Sequence, residues 1–217
     1  MINKSEILSH VDHTLLSQTA TFTQIREICD EAVKFGAASV CIPPAYVKQA
    51  AEYLEGRIPV CTVIGFPNGY NTSEIKCAEA AQALRDGAEE IDMVINIAFL
   101  KDGKYDYVQK EIEAVKQICG DRILKVIVET CFLTENEKVK MCGAVAAAGA
   151  EYIKTSTGFG TGNATFEDVA LFSRCLDGTG VKIKASGGIK TFEAAQKFLE
   201  LGADRLGSSS LIKSLVK

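Results

Sequence analysis

A chain of 217 residues, 47% hydrophobic and free of low-complexity tracts, carries enough apolar material for one sizeable core, which excludes an intrinsically disordered protein. Its formal charge of −4, with the charges interspersed and no basic cluster, argues against nucleic acid or an anionic membrane as main partner. No apolar run approaches a membrane span, MINKSEILSH holds no apolar signal segment, and the eight cysteines form neither C-x-x-C pairs nor Cys/His clusters at zinc spacing. The expectation is a cytoplasmic protein with reduced thiols and no metal site.

In chain order, a β-type run at Val11–Leu15 leads to a helical pattern that Thr21-x-x-Gln24 opens as a capping box. Phe35-Gly36-Ala37 closes that helix ahead of a second run, Ala38–Ile42. The same punctuation returns as Asp86-Gly87-Ala88 before Glu90–Ile95, Ala148-Gly149-Ala150 before Glu151–Lys154, and Leu201-Gly202-Ala203 before Arg205–Gly207. Each glycine stands where a helix C-terminus needs a left-handed residue. Runs at Pro59–Ile64, Ile123–Val128 and Val181–Lys184 fill the gaps. Thr134-x-x-Glu137 is a second capping box, and Thr165-x-x-Asp168 is a near match. Eight β–α units at this length predict a (β/α)8 barrel, one domain over residues 1–217. An open doubly wound sheet is the alternative, but no G-x-G-x-x-G follows the first run.

Strand alternation carries the fold toward chemistry. Ile91, Met93 and Ile95 share one face and Glu90 and Asp92 the other. Lys125 and Glu129 alternate with Leu124, Val126 and Val128, and Lys182 and Lys184 alternate with Val181 and Ile183. The apolar sets are expected to face the helices and the charges the barrel interior. Buried charge is costly unless paired or used, so Asp92, Lys125, Lys154 and Lys184 are expected to form an inward network at the catalytic end. Lys154 ends EYIK and runs into TSTGFG, and Lys184 ends VKIK and runs into ASGG. Two close ammonium groups repel, which lowers the pKa of one from about 10.4 to about 7–8 and allows a Schiff base. On placement alone, salt-bridged lysines stand beside that reading. Asp92 is equally an ion-pair partner or a proton relay, and Lys125 with Glu129 is a candidate internal pair.

Thr155–Gly160, Ser186-Gly187-Gly188 and Gly207-Ser208-Ser209-Ser210, the last opening the final helix, are candidate phosphate loops. Asp12 and Thr14 share a strand face suited to a substrate hydroxyl. For Cys41 packing is favoured, for His13 a structural role, and for His10 the surface. Gly65-Phe66-Pro67-Asn68-Gly69 reads as a turn with no chemistry of its own.

An ordered set of motifs runs nearly end to end: DHTLL (Asp12–Leu16), SVCIPP (Ser39–Pro44), CTVIGFPNG (Cys61–Gly69), EIDMVIN (Glu90–Asn96), LKVIVET (Leu124–Thr130), EYIKTSTGF (Glu151–Phe159), KASGGI (Lys184–Ile189) and RLGSSS (Arg205–Ser210). At these residues the chain resembles the 2-deoxyribose-5-phosphate aldolases, class I aldolases on a (β/α)8 barrel. The resemblance implies reversible cleavage of 2-deoxy-D-ribose 5-phosphate to D-glyceraldehyde 3-phosphate and acetaldehyde, in deoxyribonucleotide catabolism, with no cofactor and commonly as a homodimer. Lys154 matches the Schiff-base lysine. Lys184 matches the second lysine, which lowers the pKa of the first and assists proton transfer. Asp92 matches the acid that shuttles protons through water, and Lys125 a further lysine in contact with it. Cys41, Asp12 and Thr14 match substrate-side positions. Gly158, Gly187, Gly188, Gly207, Ser209 and Ser210 match the phosphate loops.

Some longer members carry a C-terminal tyrosine that helps protonate the enamine. This sequence ends Leu215-Val216-Lys217 with no tyrosine after Tyr152, which bears on the efficiency of proton transfer and not on the reaction. Another class I sugar-phosphate aldolase or transaldolase, and a non-catalytic sugar-phosphate-binding barrel, are the alternatives. An isomerase or epimerase is disfavoured, because no Glu/His base or metal-ligand set stands out.

Overall fold

A computed structural model describes residues 3–216. Met1, Ile2 and Lys217, at the two ends, lie outside the described residues. Helix α1 (Lys4–Leu8) precedes strand β1 (Val11–Thr14). Then follow α2 (Phe22–Phe35), β2 (Ser39–Ile42), α3 (Val47–Leu54), β3 (Val60–Ile64), α4 (Ser73–Arg85) and β4 (Glu90–Val94). The second half holds α5 (Ile97–Lys101), α6 (Tyr105–Cys119), β5 (Ile123–Ile127), α7 (Glu135–Ala147), β6 (Tyr152–Lys154), α8 (Phe166–Cys175), β7 (Lys182–Ser186), α9 (Phe192–Glu200), β8 (Arg205–Ser208) and α10 (Lys213–Val216). All strand pairs are parallel and run in chain order, and β8 pairs back onto β1. The sheet is thus a closed eight-stranded barrel and not an open doubly wound sheet.

The local signals act as the sequence suggests. Gly36, Gly87, Gly149 and Gly202 all have positive φ, from 65° to 104°, and turn the chain from helix to strand. Thr21–Gln24 and Thr134–Glu137 are complete capping boxes. Thr165 makes only half of one, since the Asp168 side chain bonds Lys138 instead. Strand ends move by a residue or two. β7 runs on to Ser186 because Ala185 and Ser186 pair with Leu206 and Gly207.

The main core lies between sheet and helices. Ile91, Met93, Leu124, Val126, Ile153, Ile183 and Leu206 point outward onto Ile25, Ile28, Val108, Ile112, Val145, Val169 and Phe172, all buried. Each such side chain contributes about 1.5–3 kcal/mol when withdrawn from water. With the apolar faces spent outward, polar residues fill the barrel.

Two parity expectations need correction. Lys182 is exposed, and its ammonium lies 5.8 Å from the centroid of the Tyr152 ring. It starts β7 at the rim, where the barrel has no interior to enclose it. Glu129 does not pair with Lys125. β5 stops at Ile127, and Glu129 adopts φ 53°, which turns its carboxylate onto Thr157.

The turn at Gly65–Gly69 has a packing reason. A Cβ on Gly69 would fall 2.0 Å from the Ile95 carbonyl oxygen, so the turn seats directly on the end of β4. That places Phe66 edge-on to Phe159, ring centroids 5.3 Å apart, at the barrel mouth. Outside the barrel, the fully buried Lys76 donates to Glu111 and to the Val94 carbonyl, both at 2.8 Å, and ties α4 and α6 to the end of β4.

Candidate active site

The inward faces of the strands converge on an ion network. Lys154, the last residue of β6, donates to Asp92 Oδ2 across 2.7 Å. Lys184, its register partner on β7, donates to the same oxygen across 2.6 Å and also meets Asp12. Lys125 contacts Glu90 at 2.6 Å, Asp92 Oδ1 at 2.8 Å and Asp12 at 3.7 Å. Arg205 contacts Asp12 at 2.6 Å and Glu90 at 3.2 Å. Four cations therefore face the carboxylates of Asp12, Glu90 and Asp92.

The electrostatics follow from these contacts. Burial alone would raise the Asp92 carboxyl, but Lys125, Lys154 and Lys184 together hold it well below the usual range. Asp12 is likewise held low against burial by Lys184, Lys125 and Arg205. Burial works against the Lys184 ammonium, but Asp12 and Asp92 outweigh it and push its pKa up. Lys125 is driven up in the same way by Asp92, Cys61, Asp12 and Glu90. The expected mutual repulsion of two lysines is thus answered at Lys184 by two carboxylates, and Lys184 stays charged.

Above the network opens a cavity of about 510 Å³. Lys154 lines it, as do Thr14, Gly158, Gly187, Gly188, Gly207, Ser209 and Ser210. Asp92, Lys184, Lys125, Asp12 and Cys41 lie beneath, each with no exposure. Asp12 differs from its expected place beside a substrate hydroxyl: its carboxylate is committed to Lys184 and Arg205, while the Thr14 hydroxyl donates to the Asp12 carbonyl. Cys41 packs with Cys61, Val63, Leu16 and Phe66 in a small apolar cluster. The hydrogen bond with Cys61 lowers the Cys41 thiol pKa against its burial, helped by Lys184.

Gly207–Ser210 does not open the last helix, which starts only at Lys213. The Ser208 hydroxyl instead accepts from the Ser210 and Leu211 amides and donates to the Ile189 carbonyl, tying the β8 turn to the β7 turn. Gly207 has no room for a side chain, since a Cβ would fall 2.7 Å from that of Ser186. His13 is fully buried and bonds Glu31 across 2.6 Å, a structural role. His10 is half-buried, not free on the surface, and meets the Asp204 carbonyl.

Glu90, Arg205 and Lys190 carried no expected role in the site, and Glu129 takes a different one from its expected pairing with Lys125. Glu90 and Arg205 complete the network. Lys190, exposed and two positions after Gly188, adds a cation to the cavity wall. Glu129 accepts from the Thr157 amide at 3.2 Å and from its hydroxyl, holding the loop that follows Lys154. Burial raises the Glu129 carboxyl. The parity of Arg205 with Gly207, and a lysine two positions beyond a glycine pair, were the available signals.

Two donor groups, Cys41/Cys61/Asp92 and Asp12/Cys61/Glu90, lie close enough to hold a metal. Their carboxylates already carry lysine and arginine partners, so a dication would enter among four positive charges. The donor set does not suit one. Among the described residues no helix is long and apolar enough to cross a membrane.

Residues 7–216 match the model of the DeoC/LacD family aldolases. A deoxyribose-phosphate aldolase of Clostridioides difficile is 54% identical over 209 residues, 96% of this chain and 95% of that protein. One of Streptococcus agalactiae is 55% identical over 208 residues, 96% and 93% of the two chains. Among solved structures, the tetrameric deoxyribose phosphate aldolase of Aeropyrum pernix superimposes with a TM-score of 0.91 at 29% identity, covering 98% of this chain and 92% of that one. The aldolase QR15 gives 0.93 at 38%, covering 97% and 96%. A closed parallel barrel carrying buried lysines, with this similarity along nearly its whole length, belongs to the DeoC/LacD family of aldolases.

Proposed function

We propose that the protein reversibly cleaves 2-deoxy-D-ribose 5-phosphate to D-glyceraldehyde 3-phosphate and acetaldehyde through a Schiff base on Lys154. The observation that carries the reading is that Lys154 is the network lysine that lines the cavity, and its carboxylate oxygen is shared with Lys184. A proton removed from Lys154 leaves three cations facing three carboxylates, a balanced interior. The free amine attacks C1 of the open-chain sugar, and loss of water gives an iminium ion. The C2–C3 bond breaks with its electron pair passing to the iminium, while the C3 hydroxyl gives up its proton and becomes the aldehyde of glyceraldehyde 3-phosphate. The remaining enamine takes a proton at C2, and hydrolysis frees acetaldehyde and the amine.

Asp92 moves the protons through water, and Lys184, held charged by Asp12 and Asp92, supports the transfer. Lys125 fixes the other Asp92 oxygen. The amides around Gly187 and Gly188, the hydroxyls of Ser209 and Ser210, and Lys190 suit the phosphate dianion, with Gly158 and Gly207 keeping the walls open. Thr14 adds a further hydroxyl to the cavity lining. The eight free cysteines support a reducing, cytoplasmic setting. A homodimer is expected and is read by light scattering.

The test is borohydride reduction with acetaldehyde, followed by peptide mapping. A reduced two-carbon adduct on Lys154 is the expected result. Adduct on Lys184 or Lys125 overturns the assignment, and no adduct on the folded protein leaves a sugar-phosphate-binding barrel.

A further inference from the structure

Two charged residues of the ion network lie away from the cavity. Glu90, at the start of β4, is buried, and Arg205, at the start of β8, is half-buried. Both sit toward the barrel end opposite Lys154, which ends its strand. Each reaches Lys154 along its own bonded branch. Glu90 holds Lys125 at 2.6 Å, and Lys125 holds Asp92. Arg205 holds Asp12 at 2.6 Å, Asp12 meets Lys184, and Lys184 holds Asp92. The branches join twice, at Asp92 and again where Arg205 meets Glu90 at 3.2 Å. The linking residues Asp12, Asp92, Lys125 and Lys184 have no exposure, so charge passed through them is weakly screened.

We infer that Glu90 and Arg205 are positioning residues: from the closed end of the barrel they set the charge that Lys154 faces, and with it the pH at which its amine becomes a nucleophile. The inference rests on Lys154 being the Schiff-base lysine. The groups that face Lys154 are Asp92 on β4, Lys184 on β7, Cys41 on β2 and Glu129 beyond β5. Those that face Glu90 are Lys125 on β5, Arg205 on β8, Asp12 on β1 and Cys61 on β3, with Tyr152 on β6 and Lys182 at the rim beside Arg205. Glu90 and Arg205 carry opposite signs within one cluster, so their removal must act in opposite directions. A role in packing alone has no such sign.

The experiment measures kcat for aldol cleavage against pH in Glu90→Gln and Arg205→Gln, with folding checked by urea melts. Glu90→Gln removes a negative charge and is expected to move the acid limb to lower pH by roughly one unit. Arg205→Gln removes a positive charge and moves the limb to higher pH by roughly half to one unit. At about 1.36 kcal/mol per pH unit, these shifts amount to about 0.7–1.4 kcal/mol of changed interaction at Lys154. The double variant returns the limb to its original place, and Arg205→Lys, which keeps the charge, leaves it there. Limbs that stay put while kcat falls at every pH overturn the inference, as do shifts of the same sign. Either single variant decides the sign alone if the other does not fold. Acetaldehyde trapping of the unaltered protein separates the two readings. A missing Lys154 adduct overturns the nucleophile, whereas a normal adduct with unmoved limbs overturns only the part given to Glu90 and Arg205.

Discussion

Lys154 and Asp92 meet through one oxygen: the amine of Lys154 reaches Asp92 Oδ2 at 2.7 Å, and among the described residues it forms no other ion pair. Lys184 instead bridges two carboxylates with no exposure at all. The difference separates the two lysines experimentally. Lys154→Leu is expected to lower kcat by roughly 10⁴-fold or more while the protein stays folded and still binds inorganic phosphate. Lys184→Leu removes a fully buried partner from both Asp12 and Asp92 and is expected to cost about 3–5 kcal/mol of stability as well as activity. Paired urea melts and activity assays check both, and equal destabilisation by the two would contradict the geometry.

Asp92→Asn is the severest single change to the network, since Asp92 is shared by Lys125, Lys154 and Lys184. Its loss leaves buried cations underpaired, and about 3–5 kcal/mol of stability should go with it. The proton relay goes too, for roughly 10²–10⁴ in kcat. A denaturant midpoint and a turnover number measured on one preparation test the pair of effects.

The same carboxylates predict the pH range of stability. Asp12 and Asp92 have folded pKa values below their unfolded ones, so their stabilisation is complete above the unfolded value of 3.8 and is lost as pH falls below it. Lys125 and Lys184 have folded values above 10.5, so theirs is complete below that pH and is lost as pH rises past it. The contribution of this network should be flat between about pH 5 and 9 and fall outside that window. Urea melts across pH, compared with Asp12→Asn, report whether acid loss tracks these groups.

Lys190 offers a test of the phosphate end. Lys190→Ala is expected to raise KM for the sugar phosphate by roughly tenfold or more, the loss of a charge-assisted contact. KM for unphosphorylated 2-deoxyribose should barely change. Equal effects on both substrates would remove Lys190 from the phosphate site.

How much of this could be read in the sequence depended on whether its cause was local. The barrel was legible because left-handed glycines and two-residue alternation act over a few positions, as at Gly36 and along Ile91–Ile95. The inward lysines followed from the same alternation. Glu129 broke the pattern because its own backbone turns at φ 53°, beyond the reach of strand parity. Arg205 went unread inside RLGSSS, where the small residues drew the attention to phosphate. The Lys76–Glu111 pair joins two helices across 35 positions and leaves no periodic trace. Asp12 looked free because its partners come from β7 and β8 at the far end of the chain.

That last separation has a consequence for how the molecule assembles. Asp12 and Arg205 are 193 positions apart, and their bond is made only when β8 meets β1. Until then Asp12, Glu90 and Lys184 lack the guanidinium that completes their set, and an unclosed sheet shows water a half-matched row of charges. Such an intermediate gains little from drying its interior, so the barrel should close in an all-or-none step with no durable seven-stranded form. Truncation ahead of Arg205 is expected to leave the amides of β1 and β4 open to hydrogen exchange, even though every residue of those strands is still present.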